Sequence, residues 1–326
     1  MAEKCIAVTM GDPLGVGPEI VARTVADPEV NRVCRPLAVG NREIIVRAAA
    51  LWGIRRFEAR FGDNIIDVPL PADVPQAAQM PGLAGTVNAF AGQMAFDSIV
   101  KAHELCMSKE AAAVATAPIN KEALRAAAVP YIGHTEIFGA LTGTDDPLTM
   151  FETDGLRVFF LTRHVSLRKA CDLVTGERLR DYMERSLKEL AKLGVTVTQE
   201  NPLAVAGLNP HSGEHGLFGT EEVEIIAPAV EKAARDGLPV AGPVGADSVF
   251  HMAHKGKFAA VLSLYHDQGH IATKTLDFER TISLTLGLPY LRTSVDHGTA
   301  FDIAWQKKAS PVSMREAVLL AAKYAF

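Results

Sequence analysis

Val261-Leu262-Ser263-Leu264-Tyr265-His266-Asp267-Gln268-Gly269-His270 is the stretch on which the reading of this chain turns. Val261 to Tyr265 are almost all apolar, the composition of a strand buried on both faces of a parallel sheet. His266, Asp267, Gln268 and His270 then arrive together around Gly269, where that strand ends. Ligands of open α/β sheets bind at the carboxyl ends of the strands, so chemistry is expected here.

The same succession recurs along the chain. Ala111–Ala117 is a buried run ending in Thr116-Ala117-Pro118-Ile119-Asn120-Lys121. Leu148–Glu152 and Leu156–Leu161 read as a strand pair turning at Asp154-Gly155, and the second runs into Thr162-Arg163-His164. Leu203–Leu208 leads to Asn209-Pro210-His211-Ser212-Gly213-Glu214. Cys5–Met10 leads to Gly11-Asp12-Pro13-Leu14-Gly15-Val16-Gly17-Pro18-Glu19, with Pro18 suited to the first turn of a helix over Glu19–Ala26. That loop has neither the GxGxxG nor the GxxxxGK[ST] spacing, so neither standard nucleotide loop is present.

Further strands are expected at Pro36–Val39 and Thr281–Leu286, and helices at Glu43–Leu51, Thr86–Cys106, Arg178–Leu193 and Glu221–Arg235. Leu179, Met183, Leu187 and Leu190 recur at helical spacing and belong to the core. Asp63–Gly82 reads as a connector, Ala246-Asp247-Ser248 as a loop, and Ser313 with Glu316 as a capping box opening a terminal helix. Strands alternating with helices define an α/β chain with a largely parallel sheet.

At 326 residues, 48% hydrophobic and 22% charged, the chain can bury one large core or two. A net charge of −5 without a lysine or arginine run argues against nucleic-acid binding. The cysteines at 5, 34, 106 and 171 lack CxxC or finger spacing and suit a reducing compartment. No apolar run reaches a membrane span's length, and the amino terminus enters a strand almost at once, so a soluble, cytoplasmic protein is expected.

His164, His211 and His266 each follow an expected strand. They are too widely spaced for a local metal motif. Three imidazoles converging at sheet ends would nonetheless suit a catalytic divalent metal with open positions. Lys274 and Arg292, with His134 and Thr135 at the start of a helical stretch, are the natural anion binders.

Taken together, the Gly11–Glu19 loop, Gly133-His134-Thr135-Glu136, Leu208–Glu214, Tyr265–Gly269 and Arg292-Thr293-Ser294-Val295-Asp296-His297-Gly298-Thr299-Ala300 resemble the 4-hydroxythreonine-4-phosphate dehydrogenase family. The resemblance spans the chain with the motifs in order. It implies an isocitrate/isopropylmalate dehydrogenase-like fold of two α/β domains with an interdomain cleft. The expected domains are 1–130 with 265–326, and 131–264 carrying dimer contacts. It further implies a homodimer whose active sites are shared between subunits, NAD as cofactor, and a divalent metal (zinc, manganese, cobalt or magnesium) on His164, His211 and His266. His134, Thr135, Lys274 and Arg292 become substrate contacts.

Ser283 stands where the family usually has asparagine, and Lys274–Thr281 looks more like relatives that oxidise 4-phospho-D-threonate or 4-phospho-D-erythronate. The implied reaction is oxidation of the alcohol β to a carboxylate, followed by loss of carbon dioxide to give dihydroxyacetone phosphate. Asp247 and Asp267 are candidates for the base, or for orienting the metal histidines, and Lys274 for the proton donor. The rival substrates are 4-phosphooxy-L-threonine, of pyridoxal phosphate biosynthesis, and a cis-dihydrodiol carboxylate. A metal-dependent hydrolase or aldolase, or a non-catalytic binding protein, are the rival classes.

Overall fold

The computed structural model describes residues 4–70 and 75–326. Its strands are β1 (Cys5–Thr9), β2 (Arg35–Gly40), β3 (Ile65–Asp67), β4 (Ala113–Thr116), β5 (Leu148–Thr153), β6 (Leu156–Phe160), β7 (Leu203–Ala206), β8 (Val240–Val244), β9 (Ala260–Ser263), β10 (Ile282–Leu286) and β11 (Leu291–Ser294). Two compact units are present, Met1–Pro147 with Ile282–Phe326, and Leu148–Thr281.

In the first unit the strand order is β3-β2-β1-β4-β11-β10. All neighbours are parallel except β10, which runs against β11. In the second it is β5-β6-β9-β7-β8, with β5 and β6 an antiparallel pair and the rest parallel. β4, β7 and β9 are buried at every position, as continuous apolar runs covered on both faces should be.

The units divide further along the chain than the sequence suggests, near 147 and 281 rather than 130 and 264. Packing explains both shifts. The helix His134–Thr142 sinks Ile137 and Phe138 into a first-unit cluster with Leu124, Leu288 and Tyr290. The helix His266–Leu276 lies on β6 and β5 of the second unit, with His270 against Phe151 and Phe160.

Local chemistry moves three other boundaries. The terminal helix, Val312–Tyr324, has Pro311 at its N-cap and no side-chain cap. Ser313 therefore lies inside the first turn rather than at the N-cap expected of it, and Glu316 pairs with Arg315. Asp247 sits in the first turn of the helix Ala246–His254 rather than in a loop, where its charge suits the helix dipole. The stretch expected as one helix over Glu221–Arg235 opens with a π turn at Glu222–Ile226 before Ala227–Arg235. The Asp63–Gly82 connector contains β3, and its residues 71–74 lie outside the described ones. Among the described residues, no helix is long and apolar enough to cross a membrane.

After β1 the glycine-rich loop folds back on the β4 end. Gly11 is left-handed at φ +72°, and a Cβ there would collide with the Pro118 carbonyl that accepts from Asp12 N. Asp12 is fully buried. Its Oδ1 accepts from Leu14 N, while Oδ2 has no partner. Burial outweighs the backbone hydrogen bonds and pushes its pKa from 3.8 up to about 6.

Between these values the folded chain holds a proton that the unfolded chain has lost. This contribution to stability is complete below the unfolded value and is lost as pH rises through about 6. Asp12→Asn should therefore stabilise the protein above pH 6, by up to about 3 kcal/mol, and the gain should shrink toward pH 4. Urea unfolding at pH 5 and pH 8 reads the difference; an equal effect at both would show that Asp12 does not titrate.

Candidate active site

In the second unit the ends of β6, β7 and β9 are tied by side chains. Gln268 is buried; its Oε1 accepts from Leu264 N at 2.7 Å and its Nε2 donates to Gly207 O at 2.8 Å. Thr162 Oγ1 donates to Leu264 O at 2.8 Å. Gly269 lets the helix His266–Leu276 lie flush on the sheet, since a Cβ there would stand 2.6 Å from Phe160 Cε1 and 2.7 Å from Ser263 Oγ.

These ties bring the rings of His164 and His266 to 5.9 Å. Both line a pocket of about 280 Å³, together with Arg163, Val165, Tyr265 and Asp267. Asp267 Oδ1 is 2.6 Å from His266 Nδ1. With Nδ1 as donor, His266 keeps the Nε2 lone pair for a ligand. This favours Asp267 as the residue that orients His266.

One turn along the helix, the His270 ring stacks on His266 at 4.0 Å and lies between Phe160 and Phe151. Burial, then the fields of His266, Lys274, Arg163 and His164, lower its pKa to about 3. It is therefore a neutral backing for His266. Lys274, a further turn on, has its Nζ 5.5 Å from the Phe278 ring.

His211 stands in an unusual loop. His211, Ser212, Gly213, Glu214 and His215 all have positive φ, between 43° and 81°. For non-glycine residues this geometry costs about 1 kcal/mol or more each. Glu222 holds the loop from inside: its Oε1 accepts from Leu208 N and Asn209 N, both at 2.7 Å, and its Oε2 from Asn209 Nδ2 at 2.8 Å. His211 itself is exposed.

Among the described residues, no three of histidine, cysteine, aspartate and glutamate are grouped so as to hold a metal ion. One chain thus pairs His164 with His266 but does not add His211. The pair, with one imidazole tied to a carboxylate, fits two of the three metal ligands expected. Asp247 is exposed at its helix start.

The anion-binding residues of the first unit form a separate constellation. Arg292 is buried on β11. Its Nη1 donates to Thr285 Oγ1 at 2.9 Å, and its Nε and Nη2 to Thr116 Oγ1 at 3.2 and 2.9 Å. The guanidinium lies 5.7 Å from the Phe138 ring. His134 stacks on the same ring. Burial, then the charge of Arg292, hold its pKa well below the usual histidine range. His134 Nε2 is buried without a hydrogen-bond partner. His134 and Thr135 open the nine-residue helix His134–Thr142, where amides favour an anion. Ser283 is two residues from Thr285 on β10, so it faces the same side as the hydroxyl that holds Arg292.

Sequence reasoning missed Glu222, Thr285, Phe138 and the work of His270. Only His270 had a usable signal, its i,i+4 spacing from His266 on one helix face.

The family model described as pyridoxal phosphate biosynthetic protein PdxA matches residues 32–321. A Clostridium botulinum (strain Hall) protein, provisionally named D-threonate 4-phosphate dehydrogenase, is 54% identical over 98% of this chain and 96% of its own. A Fusobacterium nucleatum protein of the same provisional name is also 54% identical, over 98% and 97%. The crystal structure of 4-hydroxythreonine-4-phosphate dehydrogenase from Klebsiella pneumoniae is 38% identical, with a TM-score of 0.84 over 99% of this chain and 98% of that one. The chain is therefore a dehydrogenase acting on an alcohol, built on an α/β fold. Within that class it belongs to the PdxA family.

Glu222→Ala should leave the Leu208 and Asn209 backbone amides without their acceptor, while Asn209 Nδ2 keeps Glu221, and cost about 2–4 kcal/mol. Amide exchange at Leu208 and Asn209 should lose its protection in the same variant. Unchanged protection would remove Glu222 as the anchor of the His211 loop.

Proposed function

We propose that the protein catalyses the NAD- and divalent-metal-dependent oxidative decarboxylation of 4-phospho-D-threonate or 4-phospho-D-erythronate, giving dihydroxyacetone phosphate and carbon dioxide. The observation that carries the metal part is the His164–His266 pair on one pocket, with Asp267 on the second nitrogen of His266. The provisional names of relatives 54% identical over nearly the whole chain support the substrate.

Each residue then has a role. Arg292, His134 and Thr135 receive the phosphate, the guanidinium being held in place by Thr116 and Thr285. A bound divalent metal would supply Lewis-acid polarisation and NAD the hydride-accepting capacity. His164, His211 and His266 would hold the metal, and Asp267 fixes the His266 ring. Asp247 takes the hydroxyl proton, and Lys274 protonates C2 after carbon dioxide leaves. The protein works in the cytoplasm as a homodimer; all four cysteines are free, which suits that compartment.

On this reading the partner subunit supplies His211 to the His164–His266 pair of one chain. His211→Ala and His164→Ala should each abolish turnover and lower bound metal without unfolding the chain. Mixed in equal amounts and allowed to exchange, the two inactive variants should recover about a quarter of wild-type activity, since half of the dimers then hold one intact site. Mixed dimers without activity would place all three histidines in one subunit.

The amino acid 4-phosphooxy-L-threonine is the second reading, favoured by likeness to the Klebsiella enzyme. Ser283 separates the two. An asparagine carbonyl accepts from an ammonium, whereas a serine hydroxyl serves a neutral hydroxyl as donor or acceptor. In wild type, kcat/KM should favour the hydroxy acid, and Ser283→Asn should move the preference toward the amino acid by about tenfold or more. Equal or better turnover of 4-phosphooxy-L-threonine by wild type would return the chain to the vitamin B6 reaction.

A further inference from the structure

Arg163 follows β6 and directly precedes His164. Its backbone is fixed from the preceding side, where Leu161 N donates to Ser263 O and the Thr162 hydroxyl to Leu264 O, both at 2.8 Å. Arg163 lines the same 280 Å³ pocket as His164 and His266. It is the only lysine or arginine among the lining residues, which otherwise include the apolar Val165, Leu167 and Ala170.

The proposed reaction puts the carbon being oxidised at the histidines. The carboxylate that departs is attached to the neighbouring carbon, so it must enter this same pocket. A planar guanidinium is the partner that matches a carboxylate in shape and charge. Both rival substrates carry this carboxylate, but only the amino acid carries an ammonium on the carbon beside it. A fixed positive charge here attracts the one group and repels the other.

We propose that Arg163 receives the substrate carboxylate and selects a 2-hydroxy acid over a 2-ammonio acid. This rests on the phosphorylated-acid reading above and adds a determinant on β6 to that of Ser283 on β10. The contact exists in the bound acid and is given up as carbon dioxide forms. Its loss therefore weakens binding more than it slows turnover.

The test is calorimetric titration of the metal-loaded enzyme, without NAD, using 4-phospho-D-threonate and 4-phosphooxy-L-threonine. Wild type, Arg163→Met and Arg163→Lys are compared, with metal content and thermal unfolding measured on each. Arg163→Met should weaken the hydroxy acid by about tenfold to a hundredfold. The amino acid should weaken by less than about threefold, or bind more tightly, because attraction and repulsion are removed together. Arg163→Lys, which keeps the charge but not the fork, should keep the preference with reduced affinity.

An equal loss for both acids, or no loss for either, overturns the proposal. So does a changed preference that tracks loss of metal from Arg163→Met. Turnover with NAD, measured separately, judges the reaction. Wild type that binds the hydroxy acid with the expected Arg163 dependence but never oxidises it overturns the reaction and keeps the carboxylate contact. Wild type that binds neither acid overturns both.

Discussion

One buried carboxamide sets the geometry of the histidine end of the second unit. Gln268 accepts from the backbone at the end of β9 and donates to the backbone just past β7. Both backbone groups lie beyond the last ladder pairing of their strands, so without the side chain they would be buried polar groups with no partner. A carboxylate would lack the donor and a methionine would lack both. The side chain sits two residues after His266, on the helix that delivers that histidine. The bond that closes the sheet end therefore also fixes the start of the helix His266–Leu276.

Within each unit, charge is managed by pairing ionisable groups with neutral ones. Arg292 is held by the hydroxyls of Thr116 and Thr285, and Thr116 in turn donates to the Thr293 carbonyl and Ser294 Oγ. Hydroxyls orient a guanidinium without neutralising it. His270 follows the same logic on the other unit. It supports His266 by stacking, and its neutrality adds no positive charge behind a histidine expected to hold a cation. Glu222 is the anionic instance, a buried carboxylate that accepts backbone and amide hydrogen bonds.

What could be read in the sequence was whatever has a local cause. The apolar run Val261–Leu264 announced β9, and the histidines after β6, β7 and β9 were found because strand ends are where such sheets bind ligands. His134, Thr135 and Arg292 stood out as residues suited to anions. Glu222 and Thr285 were invisible, since each acts through a partner seven or more residues away that only the fold supplies. The division into units near 147 and 281 depends on which core receives His134–Thr142 and His266–Leu276, and periodicity does not say that. Ser313 and Glu316 have the right spacing for a cap, but Pro311 starts the helix before them.

The left-handed run from His211 to His215 also limits how this chain can drift. A Cβ branch is poorly accommodated at positive φ, so valine, isoleucine and threonine are barred at positions 211, 212, 214 and 215 irrespective of chemistry. Glycine, asparagine, aspartate and histidine remain tolerable there. Variation in the loop is therefore filtered first by backbone shape and only then by function. An invariant residue in it need not touch a substrate, whereas a substitution admitted by shape at position 211 would report on the ligand role of the imidazole alone.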